Sequence, residues 1–163
     1  MNLPDVSLRV ASAADLDAAN AVIERAVMGW DLPERVKRLS LSTYRYTPLD
    51  LEHLTVTLAE GEQGECRGVA AWEPADVADT PEGRDALLLH GIYVDPAAQG
   101  AGIGARLLAA ATAAARAQGR GGLLVKAQRG AEGFFVSRGF RKLPVLDPQR
   151  DYPHRYWKSL QGD

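Results

Sequence analysis

Hydrophobic and polar positions along the chain switch between a period near two and a period near 3.6, and the switches mark out its elements. Val6 to Val10 alternates as a strand does. Ser12-Ala13-Ala14-Asp15 approximates a capping box, after which Leu16, Ala19, Val22, Ile23 and Ala26 recur at helical spacing to about Met28. Asp31-Leu32-Pro33-Glu34 opens a second helix reaching about Leu39, and Thr43 to His53 shows no clear period and reads as loop. Leu54 to Glu60 and Cys66 to Trp72 read as strands joined by a Gly/Glu turn, an antiparallel hairpin. Pro74 to Arg84 is an acidic, proline-containing loop. The near-continuous apolar run Leu87 to Val94 predicts a strand buried on both faces. An Ala/Leu-rich helix follows from Ile103 to about Gln118, and Gly119 to Gly122 ends it and turns the chain. Leu123 to Ala127 reads as a strand, Ala131 to Arg138 as a short helix closed by Gly139, and Phe140 to Leu143 and Tyr152 to Leu160 as further strands. The resulting order is β-α-α-β-β-β-α-β-α-β-β. No repeat, linker or composition break interrupts it, so a single domain over residues 1–163 is expected.

Composition narrows the function classes. With 163 residues, 46% of them hydrophobic and 25% charged, the chain is long enough to bury about two-thirds of its unfolded surface. Cys66 stands alone, which excludes an internal disulfide. A net charge of −2 gives no support to nucleic-acid binding. The longest Ala/Leu run, Leu107 to Ala115, is too short to span a bilayer. Residues 1–5 lack a basic region followed by an apolar run, which argues against a signal peptide and for a cytoplasmic protein. His53, His90 and His154 form no cluster at ligand spacing, so no metal site is expected.

The segment from His90 to Gly104 carries the most chemistry: a strand, an Asp95-Pro96 turn, a glycine-dense loop and at once a helix. Glycines 100, 102 and 104 leave backbone N–H groups uncovered where a helix begins. Helix starts have unsatisfied donors and a partial positive charge, so the loop suits a pyrophosphate. Gly100-x-Gly102-x-x-Ala105 formally matches the dinucleotide fingerprint, but Asp95 to Ala98 separates it from the strand and Val125 to Gln128 offers no acidic residue for a ribose. Gly104-Ala105-Arg106 is no P-loop either.

Gln99-Gly100-Ala101-Gly102-Ile103-Gly104 after a strand and an Asp-Pro turn resembles the pyrophosphate loop of the GNAT superfamily of acyl-CoA-dependent N-acetyltransferases. Gln128-Arg129-Gly130-Ala131-Glu132-Gly133-Phe134-Phe135-Val136-Ser137-Arg138-Gly139-Phe140 resembles that family's second block, Asn-x-x-Ala-x-x-Phe-Tyr-x-x-x-Gly-Phe. The resemblance implies an α/β (α+β) fold. Its sheet is mixed and mostly antiparallel, of about six or seven strands, flanked by helices on both faces and splayed between strands 87–94 and 123–127. It further implies acetyl-CoA as co-substrate and no metal. Ile92, Tyr93 and Val94 would bind pantetheine through main chain, Gln99, Gly100, Ala101, Gly102, Ile103 and Gly104 would hold the pyrophosphate, and Gln128 and Phe135 would line the cofactor arm.

Direct attack of an amine on a thioester needs a base, because an amine of pKa about 10.4 is only about 0.1% neutral at pH 7.4, a cost of about 4 kcal/mol. His90 is the candidate base or relay, since imidazole titrates near neutrality; a core histidine with one hydrogen bond is the plainer alternative. The family's acid is the Tyr of its second block, and here that position is Phe135. Tyr152 or Tyr156 can replace it, or serve only as packing. By the resemblance, Trp30, Tyr44 and Tyr46 line the acceptor pocket. Arg35, Lys37, Arg38 and Arg45 suggest an anionic acceptor or simply a solvated face, while Asp76, Asp79 and Glu82 would draw a cation. The expected activity is acetyl transfer to an amine, first of a small molecule and second of a protein N-terminus or lysine. A non-catalytic acyl-CoA sensor is the rival, and a dinucleotide oxidoreductase stands further off. A homodimer is compatible with all of these.

Overall fold

A computed structural model describes residues 5–161. Its strands are β1 (Ser7–Val10), β2 (Thr55–Glu60), β3 (Cys66–Pro74), β4 (Ala86–Val94), β5 (Gly122–Lys126), β6 (Arg141–Lys142) and β7 (Arg155–Ser159). Its helices are α1 (Leu16–Met28), α2 (Glu34–Tyr44), α3 (Ile103–Ala117) and α4 (Glu132–Val136). Element order follows the hydrophobic pattern throughout. Among the described residues the strands form one seven-stranded sheet in the order β1-β2-β3-β4-β5-β7-β6. β4 and β5 run parallel, with Ala86↔Gly122 through Leu89↔Val125 in register. The β1–β2, β5–β7 and β6–β7 pairs are antiparallel, so the expected mixed, mostly antiparallel sheet is observed.

The described residues group into two compact units, one reaching Ala71 and adding Ile92–Ala109, the other holding Trp72–Gly91 and the residues from Ala110 onwards. In the first unit the α1 stripe of Leu16, Ala19, Val22, Ile23, Ala26 and Val27 packs on Val56, Leu58, Val69 and Ala71. That is what its 3.6-residue periodicity requires. Side chains alternate across a strand, so Gly68 faces away from this core. A Cβ there would lie 2.8 Å from Ile103 Cγ2 and 3.0 Å from Leu107 Cδ1, so α3 covers the opposite face of β3 in close contact. Helices therefore flank both faces of the sheet at β3. In the second unit Ala86, Leu124, Leu143 and Trp157 form one core cluster, with Leu88 and Ala75 against it.

Three boundaries and one burial pattern depart from the sequence expectation. α2 continues to Tyr44 because Leu41 and Tyr44 pack against the first core, which outweighs the missing period. The last strand starts only at Arg155, since the Asp151 carboxylate accepts the N–H groups of Leu146 (3.0 Å) and Asp147 (3.1 Å) and holds the preceding segment in a turn. β6 is reduced to Arg141–Lys142 ahead of Pro144, whose nitrogen has no hydrogen to donate to a ladder. β4 is buried at Ala86, Leu87, Leu89 and Tyr93, while His90, Gly91 and Ile92 are half-buried, so it is not covered on both faces along its whole length.

β4 carries one residue too many for a regular ladder with β3. Ala75 N–H donates to the Ala86 carbonyl (2.9 Å), and Asp95 N–H donates to the Arg67 carbonyl (2.9 Å). Nine steps along β4 thus answer eight along β3, the signature of a β-bulge, which bends a strand and re-aims its side chains. The register with β5 covers only Ala86–Leu89, whereas β4 runs on to Val94.

Candidate active site

In the first unit, a turn between β4 and α3 organises the glycine loop. The Asp95 carboxylate accepts the Ala97 N–H (3.1 Å), and the Asp95 carbonyl accepts the Ala98 N–H (2.8 Å), closing the single turn Pro96–Ala98. Arg25 of α1 donates to Asp95 Oδ2 from Nε (3.0 Å) and Nη2 (2.7 Å). The Arg25 guanidinium holds the Asp95 carboxyl below the usual carboxylate range, aided by the Ala97 N–H. Beyond the turn, Gly100 (φ 84°) and Gly102 (φ 80°) adopt the left-handed conformation, and Ile103 starts α3. A Cβ on Gly100 would meet nothing within 4 Å, so its conformation rather than protein crowding selects glycine. Gln99, Gly100, Ala101, Gly102, Ile103 and Gly104 thus present a loop and the first N–H groups of a 15-residue helix.

The first unit also gathers aromatic rings. Tyr93 of β4 lies 6.3 Å from Trp30, near parallel, and 6.2 Å from Tyr44, while Trp30 and Tyr44 meet edge to face at 5.4 Å. Ile92 and Val94, on either side of Tyr93, are half-buried. Tyr46 belongs to the core instead, its backbone held at both ends by Asn20 (2.8 and 2.9 Å), and burial pushes its phenol pKa up. Of the nearby cations, Lys37 donates to the carbonyls of Met28 (2.8 Å) and Trp30 (3.1 Å) and so fixes the Trp30 backbone. Arg38 pairs with Glu34 and Arg45 with Glu24. These contacts weaken the case for an anionic acceptor. Burial pushes the Cys66 thiol up to about 11, which keeps it protonated at neutral pH.

In the second unit His90 meets a partner that no local pattern connects with it. His90 Nε2 and Glu73 Oε2 are in direct contact, β4 to β3, across a sequence separation of 17. Both side chains keep about a third of their surface accessible, 34% and 33%, so the pair is neither a sealed core contact nor a freely solvated one. Only the pairing of β3 with β4 brings these groups together.

The remaining candidates of this unit divide clearly. Gln128 accepts the Gly130 N–H through its side chain (2.6 Å) and caps the turn Arg129–Ala131. Phe135 of α4 is buried, edge-on to Phe140 (5.4 Å) and near parallel to Tyr156 (6.0 Å). Tyr152 is 40% exposed and its hydroxyl donates to the Ala127 carbonyl (2.5 Å). Tyr156 is fully buried, and its hydroxyl has no hydrogen-bond partner among the described residues. Burial pushes its pKa up, and Glu132 adds to the effect. Of the acidic loop, Asp76 accepts the Ala78 N–H (2.9 Å) and Asp79 faces Lys126 (3.5 Å) and Arg150 (3.6 Å). Among the described residues no group of three or more His, Cys, Asp or Glu could hold a metal, and no helix is long and apolar enough to cross a membrane.

The acetyltransferase (GNAT) domain family matches residues 52–142, more than half of the chain. The chain belongs to the GNAT acetyltransferase family. That span contains both sequence blocks, the glycine loop, the His90–Glu73 pair and Phe135. Solved structures share the fold. PaiA N-acetyltransferase from Thermoplasma acidophilum, in complex with coenzyme A, superposes with a TM-score of 0.74 at 15% identity, over 94% of this chain and 98% of that one. A GNAT family acetyltransferase from Brucella melitensis, in complex with acetyl-CoA, gives 0.66 at 20% identity, over 97% and 90%. A GCN5-related N-acetyltransferase from Rhodopseudomonas palustris gives 0.74 at 22% identity, over 98% and 99%. No curated protein matches the sequence. As a GNAT acetyltransferase, the chain departs from its family's second block at Phe135, which cannot give a proton.

Proposed function

We propose that this GNAT protein transfers the acetyl group of acetyl-CoA to the amine of a small molecule by direct attack. The observation that carries the reading is His90 in contact with Glu73: a half-exposed imidazole beside a carboxylate, in the strand that leads to the glycine loop. Gln99 to Gly104 hold the pyrophosphate with backbone N–H groups, and the main chain of Ile92, Tyr93 and Val94 meets pantetheine. These are backbone tasks, so they tolerate substitution of side chains. His90 takes a proton from the ammonium, the neutral nitrogen attacks the thioester carbon, a C–N bond forms, the C–S bond breaks, and the acylated nitrogen gives its second proton to solvent. The thiolate that leaves has a pKa near that of cysteine, about 8.5, so it departs readily and needs protonation only afterwards. Tyr156, whose hydroxyl has no hydrogen-bond partner among the described residues and which stacks on Phe135, supplies that proton in place of the family's tyrosine. Trp30 and Tyr44, partly buried over the core ring of Tyr93, receive an apolar or cationic acceptor, because aromatic faces attract cations.

The test is thiol release from acetyl-CoA against amines, amino acids, aminoglycosides and peptides, with acetyl-CoA binding measured in the same sample. Release with a small amine supports the reading. Release with peptides alone moves the acceptor to a protein amine. Binding without release across the panel makes the chain an acyl-CoA sensor and overturns it.

A further inference from the structure

We infer that Glu73 is the positioning residue for the proton-accepting step: it accepts Nε2–H of His90 and so leaves Nδ1 as the atom that takes the proton. This deepens the reading of His90 as the base and rests on it.

A neutral imidazole carries one N–H, and the hydrogen bond made by one nitrogen decides which one carries it. A carboxylate only accepts. With Glu73 Oε2 against Nε2, the neutral ring therefore keeps its hydrogen on Nε2 and its lone pair on Nδ1. Once Nδ1 has taken a proton from the ammonium, the ring is a cation, and the same carboxylate stabilises it at the moment the charge forms. Glu73 thus selects the tautomer before the step and offsets the charge after it, without touching the acceptor. Both groups sit on strands of the sheet, where backbone hydrogen bonds limit drift; Ala75 N–H to the Ala86 carbonyl (2.9 Å) ties β3 to β4 beside them. The pair retains about a third of its surface, enough for a proton to move in and out.

The test uses the full chain and two readouts. In the first, 15N-labelled histidine is observed with the ring neutral, and the His90 signals are assigned by their loss in His90→Ala. The expected pattern is protonated Nε2 and bare Nδ1 in the natural protein, and a mixture of tautomers in Glu73→Ala. A ring protonated on Nδ1, or a pattern unchanged in Glu73→Ala, overturns the inference whether or not an acceptor has been found. The second readout needs an acceptor. Glu73→Ala should lower kcat between roughly tenfold and a hundredfold, part of the ~10²–10⁴-fold that a general base supplies, and leave KM for acetyl-CoA within about twofold. Glu73→Gln, whose amide oxygen still accepts Nε2–H, should recover part of kcat. If His90→Ala retains full activity while either Glu73 variant abolishes it, Glu73 is itself the base and the assignment fails. If no amine is acetylated by the natural protein, the proposed function fails while the tautomer measurement still decides the role of Glu73.

Discussion

Two glycines offer a matched pair for testing the pyrophosphate loop. Gly100 (φ 84°), in the loop before α3, and Gly119 (φ 70°), after its end, both sit in the left-handed region. A Cβ on either would meet nothing within 4 Å. Replacing either by alanine costs about 1–2 kcal/mol of backbone conformation. The stiffer unfolded chain returns about 0.4–1 kcal/mol of it. The net loss of roughly 0.5–1.5 kcal/mol is the same for both variants. For a chain of this length, about 2.1 cal/mol/K per residue of unfolding entropy makes 1 kcal/mol worth about 3 °C, so each should lose roughly 2–4 °C of Tm. Their effect on acetyl-CoA should differ. At Gly100 the methyl group enters the space that a pyrophosphate needs to reach the backbone, and one hydrogen bond to a charged group is worth about 1.5–3 kcal/mol. Gly100→Ala should therefore raise the Kd for acetyl-CoA roughly tenfold to a hundredfold, while Gly119→Ala leaves it unchanged. Calorimetric titration of both variants at a temperature well below either Tm is the assay. Equal affinities in the two folded variants would refute the assignment of Gln99 to Gly104 as the anion site.

Three further outcomes are expected. Tyr156→Phe removes a buried hydroxyl that has no hydrogen-bond partner among the described residues. An unpaired hydroxyl costs about 1–3 kcal/mol, so Tm should hold or rise in thermal melts, while kcat falls at least about tenfold if the phenol protonates the thiolate; an unchanged kcat takes Tyr156 out of the chemistry. The depressed Asp95 carboxyl contributes stability that is fully present above the ordinary carboxylate pKa and is lost as pH falls through the lowered folded value. Between about pH 5 and about pH 3 the natural protein should therefore lose more Tm than Asp95→Asn, by only roughly 1–3 °C because Arg25 is half-exposed; a larger loss in the variant contradicts the sign. Gly122→Ala puts a Cβ 2.2 Å from Trp157 Cη2 and 2.3 Å from Cζ2 inside the second core, where Trp157 is 1% exposed. Overpacking costs about 1–3 kcal/mol, so Tm should drop by roughly 3–9 °C, and an undisturbed melt would show that this core yields more easily than its geometry implies.

Local chemistry is what the sequence could reveal. The α1 stripe from Leu16 to Val27, the run into β4 and the glycines before α3 all express rules that act within a few residues of one another, and they predicted the element order and a glycine loop at the start of α3. The family followed from two such local blocks. Boundaries slipped where a distant surface overruled local preference: Leu41 and Tyr44 extend α2 because a core lies beneath them. The pairings that shape the candidate site were out of reach for the same reason. Arg25 finds Asp95 across a separation of 70, and His90 finds Glu73 across 17. Lys37, which reads as a solvated cation, turns out to hold the carbonyls of Met28 and Trp30. Tyr156 joins Phe135 only because β7 lies beside β5, with Val125 opposite Tyr156 in the register. Strand order and register are fixed by burial summed over the whole chain. The periodicity of a strand shows which residues share a face, and only the folded sheet decides which neighbour each of them meets.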